Sequence, residues 1–521
     1  MYRFLALLFF ASVTSNAQTA FTKMFSIDTY GTPGNAVQSA DGGYLIAVQN
    51  GGAQAQYADS LILIVKTDSS GNLLWSKAFG NLLIEEIMDL SPTSDSGFAM
   101  VINVHSNVTS YSAFAVIKCD VSGNIVWTQF LSTYSGVGAG QSTVLRNIIE
   151  TQDHGFLVSG NDRNTTTINQ PFLARLDSAG NTLWNYTFLM TNVFWENAIE
   201  LQSGKILLHG FMSGTNFESF MIWIDAAGPV LAARKYAVPG KDFMIQYATE
   251  SQNGNLLLSV NYDNTIRSVV LCNTDSSGTP LNMMNYFIPG VTLIASEIFK
   301  SDSSNYIFTA AENGPVHDFI CINYLGDSIR TANYNLTMNL AGSSASMTPC
   351  GDGGFITTGF YLDSTANNTY VALIKTDALL QAPCGNNHPS IQKTQIAPPQ
   401  ASSLSYSLTS PIFYPVDSIF SGNHSVDVFD FCDPTAVPEN KLPHCSVYPN
   451  PFLEQLTFSL TNYSGNEILL EIFNVYGQVI LESKMEPSLN AIDLKNISGG
   501  IYFYALKDKN GFFASGRIVK E

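Results

Sequence analysis

Carboxylates and imidazoles are the side chains of this chain that could carry acid–base chemistry, and their spacing assembles no recognisable reactive set. The seven histidines (His105, His154, His209, His317, His388, His424 and His444) show no H-E-x-x-H pattern and no recurring carboxylate partner. No G-x-S-x-G elbow and no phosphate-binding loop occur. Glu85-Glu86 and Asp318 could in principle serve as paired acids on the loop face, but a structural or solvent role is the favoured reading. The seven cysteines contain no C-x-x-C pair, which argues against zinc and against a redox motif. No D-x-D-x-D-G loop supports calcium, so no cofactor is expected.

What does recur is turn chemistry. KTDSSGNLLW begins at Lys66, KCDVSGNIVW at Lys118 and RLDSAGNTLW at Arg175, with weaker copies at Asp225, Asp275, Asn323 and Asp377. The interval is roughly 50 residues throughout, which is the signature of one repeat architecture. A second landmark precedes each copy: DGGYLIA at Asp41, DSGFAMV at Asp95, DHGFLVS at Asp153, QSGKILL at Gln202, QNGNLLL at Gln252, DSSNYIF at Asp302 and DGGFITT at Asp352. Both landmarks read as hairpin turns feeding short β-branched and aromatic strands. Each repeat therefore holds four strands, in the second copy Ile84–Leu90, Phe98–Val104, Ala113–Lys118 and Asn124–Phe130. Four-stranded antiparallel sheets repeated radially predict an all-β, seven-bladed β-propeller, which two hairpins per repeat favour over a β-solenoid. The last copy lacks its fourth strand, and Phe21–Phe25 imitates the missing segment, so an N-terminal strand is expected to close the ring.

In such a ring the repeated Asp residues sit in tight turns on one face, as turn formers. Longer connections open on the other face, where ligands usually bind. They include 51–59, 105–111, 162–170 and 363–369, and the aromatic residues placed there are Tyr111, Tyr134, Phe194, Trp195 and Tyr236. Aromatic faces beside Ser, Thr and Asn suit carbohydrate or peptide recognition. Trp75, Trp127 and Trp184 share one phase of the fourth strand and are expected to pack between blades. The repeat spacing resembles the tryptophan-docking repeats of quinoprotein dehydrogenase propellers and, more loosely, the Asp-box turns of sialidase-like propellers, although the Asp-to-Gly spacing differs from both.

The chain has 521 residues, 45% of them apolar, with 42 acidic against 24 basic side chains, so nucleic acid and anionic membrane are poor partners. Arg3, the apolar run Phe4–Val13 and Ser15-Asn16-Ala17 read as an export signal over residues 1–17. Later apolar runs are strand-sized, so the mature chain is expected to carry no transmembrane segment. Cys119, Cys272 and Cys321 lie in apolar strand segments and read as core thiols. Cys384, Cys432 and Cys445 cluster past the repeats, and a Cys384–Cys432 disulfide is expected.

After the propeller, placed over 18–384, a Pro-, Ser- and Asn-rich stretch to residue 445 reads as a partly ordered connector. From Ser446, alternating runs describe a small antiparallel sandwich. Four blocks in it, Tyr448-Pro449-Asn450-Pro451, Phe473-Asn474-Val475-Tyr476-Gly477-Gln478, Ser498-Gly499-Gly500-Ile501-Tyr502 and Gly516-Arg517-Ile518-Val519-Lys520, resemble the type A C-terminal sorting domain of the bacterial type IX secretion system. The resemblance covers Ser446 to Glu521 and implies secretion or display at the outer cell surface, with the secretion machinery and its sortase-like peptidase as partners. It is silent on the cargo's activity. The expectation is a secreted binding or adhesion module for polysaccharide, glycoprotein or protein; the alternative is a secreted polysaccharide hydrolase or lyase acting on the loop face.

Overall fold

The computed structural model describes residues 20–27, 31–50, 61–80, 84–105, 112–131, 142–165, 168–190, 193–251, 253–262, 268–300, 305–312, 317–323, 328–334, 347–363, 368–383, 386–387, 390–410, 420–423, 426, 428–430, 444–461, 468–474, 478–485, 489–508 and 511–520. The candidate signal segment and both cysteines of the expected Cys384–Cys432 pair lie outside them. The described residues are all-β, without a helix, and the chain divides into two units, Met1–Cys432 and Asp433–Glu521.

Among the described residues of the first unit, seven sheets share one construction. Its second sheet comprises Ile84–Pro92, Phe98–His105, Ser112–Cys119 and Ile125–Phe130, antiparallel and in chain order. Five further sheets of the same order span 31–80, 142–189, 193–237, 243–287 and 293–334. The seventh contains Met347–Pro349, Phe355–Asp363 and Asn368–Thr376 and takes its fourth strand from the other end of the chain: Phe21–Ile27 pairs antiparallel with Asn368–Thr376, Phe21 opposite Lys375.

The Asp turns explain why the third and fourth strands meet where they do. Asp68 Oδ1 accepts from the backbone N–H of Ser70 (2.9 Å) and of Asn72 (2.8 Å), closing the turn through a side chain. Asp120, Asp177 and Asp275 repeat both bonds. Gly123, at φ 73°, does more than permit the turn: a Cβ there would lie 2.8 Å from the Trp75 ring of the preceding sheet. The Trp75 indole N–H donates to Val121 O in that same turn (3.2 Å), and Trp127 to Ser178 O and Trp184 to Ala226 O follow suit. Each turn is thus the receptor for an aromatic ring from the sheet before it. The three tryptophans pack between sheets, as expected.

The upstream landmark has its own logic. Lys66 is fully buried, and its Nζ donates to Ser39 Oγ, Asp41 Oδ1 and Thr67 O at 2.8 to 3.0 Å. Lys118 with Asp95, Arg175 with Asp153 and Lys375 with Asp352 repeat the arrangement in the second, third and seventh sheets. Burial alone would raise the Asp41 and Asp95 carboxyls, yet hydrogen bonds from the lysines and the turn hold both below their ordinary value.

The stretch read as a connector is ordered into a strap. Asn386–Asn387, Gln392–Ile396, Gln400–Ser403, Ser407–Thr409, Phe420–Asn423 and Val428–Asp430 add antiparallel to the fourth strands of the sixth, fifth, fourth, third, first and seventh sheets, in that order. Short polar strands alone would not hold such a course. Apolar residues seat it in the grooves between sheets: Ile391 at the fifth and sixth, Ile396 at the fourth and fifth, Leu404 and Tyr406 at the third and fourth, Val426 and Val428 at the seventh and first. A sequence of alternating single anchors and Ser, Thr and Gln resembles a linker in composition, which is why the polar stretch reads as one.

In the second unit, His444–Tyr448, Gln455–Thr461 and Leu489–Asp493 form one sheet, and Val479–Met485, Ile468–Phe473, Gly500–Asp508 and Gly511–Lys520 form another. Leu456, Phe458, Leu470, Ile472, Tyr504 and Ile518 fill the core between them.

Candidate functional site

Of the aromatic residues expected on the loop face, Tyr236 is placed elsewhere. It is fully buried and its hydroxyl donates to Gly278 O at 2.8 Å, the position in the fourth sheet that tryptophans hold in the first three. Burial raises its pKa well beyond the ordinary phenol range. It is a packing residue, corrected from a ligand candidate: the fourth sheet has Ala232 in the tryptophan phase, so the ring comes from further along the strand.

Phe194 does stand at the loop face, at the start of the fourth sheet's first strand, and is 37% exposed. Its ring stacks on Phe211 (centroids 6.1 Å apart) and meets Phe217 edge-on (6.5 Å). The loop carrying Phe217 is pinned from the next sheet: Phe217 N–H donates to Asp242 Oδ1 (2.9 Å), and Phe243 N–H to Phe217 O (2.9 Å). Beside it, Lys235 Nζ lies 2.8 Å from Glu218 Oε2. Trp195 follows Phe194 on the same strand, and its side chain lies outside the described set. Tyr111 and Tyr134 lie outside the described residues, as do 51–60 and 364–367. The connection expected over 162–170 is shorter, since Phe156–Thr165 and Ile168–Leu176 extend the hairpin to residues 166–167.

A polar group that the sequence does not single out lies on the first strands. Asp89, at a bulge in the second sheet, accepts from Asn35 Nδ2 of the first sheet (2.7 Å), and from Asn147 Nδ2 (3.2 Å) and Ile148 N–H (2.9 Å) of the third. It latches three consecutive sheets. Burial pushes its carboxyl up to about 6 despite those donors. Burial raises the Tyr247 hydroxyl of the fifth sheet well above the ordinary phenol range, and the charges of Glu297 and Asp89 add to the rise. The signal was available as a charged or amide residue at the bulge in the first strands of the first six sheets.

The carboxylates weighed as paired acids lie on different sheets. Glu85 and Glu86 lie on the first strand of the second sheet and Asp318 on the third strand of the sixth. Among the described residues no group of His, Cys, Asp and Glu could hold a metal ion. Cys119, Cys272 and Cys321 are buried, as is Cys350. Burial pushes the thiols of Cys119, Cys272 and Cys350 up to about 12, where no reactive thiolate forms.

In the second unit the first, third and fourth sequence blocks meet. Asn450 Nδ2 donates to Arg517 O (2.9 Å), Val519 N–H donates to Asn450 Oδ1 (2.8 Å), and Phe452 N–H donates to Val519 O (2.9 Å), so the first block is stitched to the last strand. Both Tyr448-Pro449 and Asn450-Pro451 bonds are cis. Lys520 is buried, with Nζ donating to Leu494 O and lying 5.9 Å from the Phe452 ring centre. Tyr502 donates to Ser498 O (2.7 Å), and Gly500 takes a positive φ. A Cβ on Gly516 would meet the Tyr504 ring at 2.7 Å, so only glycine fits there. Tyr476 and Gly477 lie outside the described residues.

Residues 446–521 match the secretion system C-terminal sorting domain. This sorting domain marks the protein for secretion and the outer cell surface. No helix among the described residues is long and apolar enough to cross a membrane. No curated protein matches the chain. Similar solved structures include PorZ, a surface component of the type-IX secretion system of Porphyromonas gingivalis, at 10% identity and TM-score 0.38, covering 92% of this chain and 58% of PorZ. Prolyl oligopeptidase B of Galerina marginata is similar at 11% identity and TM-score 0.42, covering 83% of this chain and 56% of its own. The β-propeller domain of the trilobed protease of Pyrococcus furiosus is similar at 11% and 0.41, covering 67% and 95%. The chain thus spans less than two thirds of PorZ and of the oligopeptidase. Within the sorting domain, Asn450, Gly516, Tyr502 and Lys520 hold the sandwich together, so its sequence blocks are conditions for a fold.

Proposed function

We propose that the protein is a secreted, surface-delivered β-propeller of seven blades, closed by its N-terminal strand, that binds a polysaccharide, glycoprotein or protein through the face of its longer connections. Closure is supported by the pairing of Phe21–Ile27 in the seventh sheet, by the Phe21 ring standing over Gly71 of the first, and by Thr348 Oγ1 donating to Ala36 O at 2.7 Å. Residues 1–17 serve as the export signal.

The observation that carries the binding reading is the Phe194–Phe211–Phe217 group: an exposed ring, backed by two others and fixed by Asp242, is a preorganised apolar platform. The test is electrophoresis of the mature chain in native gels containing soluble polysaccharides, alongside Phe194→Ala and Trp195→Ala. Retardation by one polymer, weakened about ten-fold by either substitution, is expected. Retardation that both variants retain would remove the platform from the reading, and release of shortened products would favour the hydrolase.

A further inference from the structure

In the first six sheets the fourth strand follows the third after a short connection, so the hairpin holds it whether or not anything lies outside it. The seventh sheet differs. Its fourth strand, Phe21–Ile27, comes from the other end of the chain, and no turn ties it to Asn368–Thr376. A terminal strand paired on one side frays unless something ties it down. The strap supplies the other side, with Val428, Phe429 and Asp430 opposite Phe25, Met24 and Lys23. Lys23 Nζ lies 2.7 Å from Asp430 Oδ1 of the strap and donates to Asn72 Oδ1 of the first sheet (3.3 Å), so one buried side chain joins three segments. Val426 of the strap is buried with Phe21, Phe25 and Tyr44 in the core between the seventh and first sheets, whereas Ile391, Ile396, Leu404 and Tyr406 are only partly buried at the other grooves.

We propose that the strap is a lock on the ring: Val426 and Val428–Asp430 turn the N-terminal strand from an edge into an interior strand, and the ring opens between the seventh and first sheets only after this end of the strap has peeled away. The inference rests on the closure proposed above. Across the same junction Thr348 Oγ1 donates to Ala36 O and Gly351 N–H to Gln38 Oε1, both at 2.7 Å, but these hold the first-strand side and leave Phe21–Ile27 to the strap. Elsewhere the strap covers hairpins that hold themselves. Peeling it from the third or fourth sheet therefore uncovers an outer edge and leaves the ring shut.

The test is hydrogen exchange of the full chain, with the same change made at two strap anchors: Val426→Asp at this junction and Leu404→Asp between the third and fourth sheets. In wild type, Phe21–Ile27 should exchange as slowly as Leu73–Gly80, the matching strand of the first sheet. Val426→Asp should speed exchange along Phe21–Ile27 by about ten-fold, the equivalent of one or two lost hydrogen bonds, while Leu404→Asp leaves that strand at the wild-type rate. Asp430→Ala decides the matter where Val426→Asp fails to fold, and should give about three-fold, since the carboxylate is exposed. Protection of Phe21–Ile27 that survives every folded variant at this end, or that Leu404→Asp removes equally, would overturn the lock and leave closure standing. Wild-type exchange of Phe21–Ile27 at the rate of an unpaired segment would overturn both.

Discussion

The first, second, third and seventh sheets bury a cation against an aspartate, whereas the fourth and fifth build the same turn without one. Trp223 and Asn273 stand where Lys66, Lys118, Arg175 and Lys375 stand in the others, and the turn hydrogen bonds put Ser203 and Asn253 where the others carry Asp41, Asp95, Asp153 and Asp352. The glycine before the strand changes as well. Gly43, Gly97 and Gly354 let the turn close on the carbonyl that the buried ammonium also binds, and a Cβ would come within 2.2 Å of that oxygen. Lys205 and Asn255 take that place in the fourth and fifth sheets, where no cation is buried. The positions change as a unit, which teaches that the ion pair and the crowded glycine are one device and that the hairpin does not need it.

The strongest way to break this comparison is to remove one half of the device. Asp352→Ala leaves Lys375 buried beside a carbonyl and should cost about 3–5 kcal/mol in chemical denaturation, whereas Ser203→Ala at the matching position of the fourth sheet should stay within about 0.5 kcal/mol. Equal effects would mean that the pair is incidental. Converting the second sheet to the neutral solution, with Lys118→Met and Asp95→Ser together, should cost less than Asp95→Ser alone, because no uncompensated charge remains.

Acid sharpens the comparison further. In the fourth sheet His209 is buried with no hydrogen-bond partner among the described residues, and burial holds its pKa down to about 3. A depressed histidine contributes stability that is complete above its unfolded pKa and is lost as pH falls towards 3, since the unfolded chain takes up the proton first. Asp153 in the third sheet, held down to about 2 by Thr151, Arg175 and Gly155 against the raising effect of burial, keeps its contribution until pH falls below the ordinary carboxylate range. Hydrogen exchange at pH 5 against pH 7.5 should therefore loosen the fourth sheet before the third, and His209→Leu should abolish the difference. The smallest effect is expected from Tyr236→Phe, about 1 kcal/mol in thermal melting, for one lost hydrogen bond to Gly278 O.

The repeat is visible in the sequence because turns are local: Asp68 and Gly71 act within a few residues of each other, so their spacing survives in the text of the chain. The second sheet can be drawn to within two residues for the same reason. The strap cannot, because Ile391, Ile396 and Leu404 gain meaning only against grooves formed by residues far away in sequence. Tyr236 misleads for a related reason, as one aromatic residue in a polar-looking connection gives no hint that a turn 42 residues later receives its hydroxyl. Asp89 is easily passed over because a lone acid in a strand is unremarkable until Asn35 and Asn147 are seen to converge on it.

The strand Phe21–Ile27 is flanked by Asn368–Thr376 on one side and by Val428–Asp430 on the other. The first strand of the domain to be synthesised therefore cannot acquire either neighbour until roughly 340 further residues have followed it. Closing so long a loop is slow relative to forming any one hairpin. A chain with this wiring stays incomplete throughout synthesis and can reach its final state only once its whole length is present in one compartment.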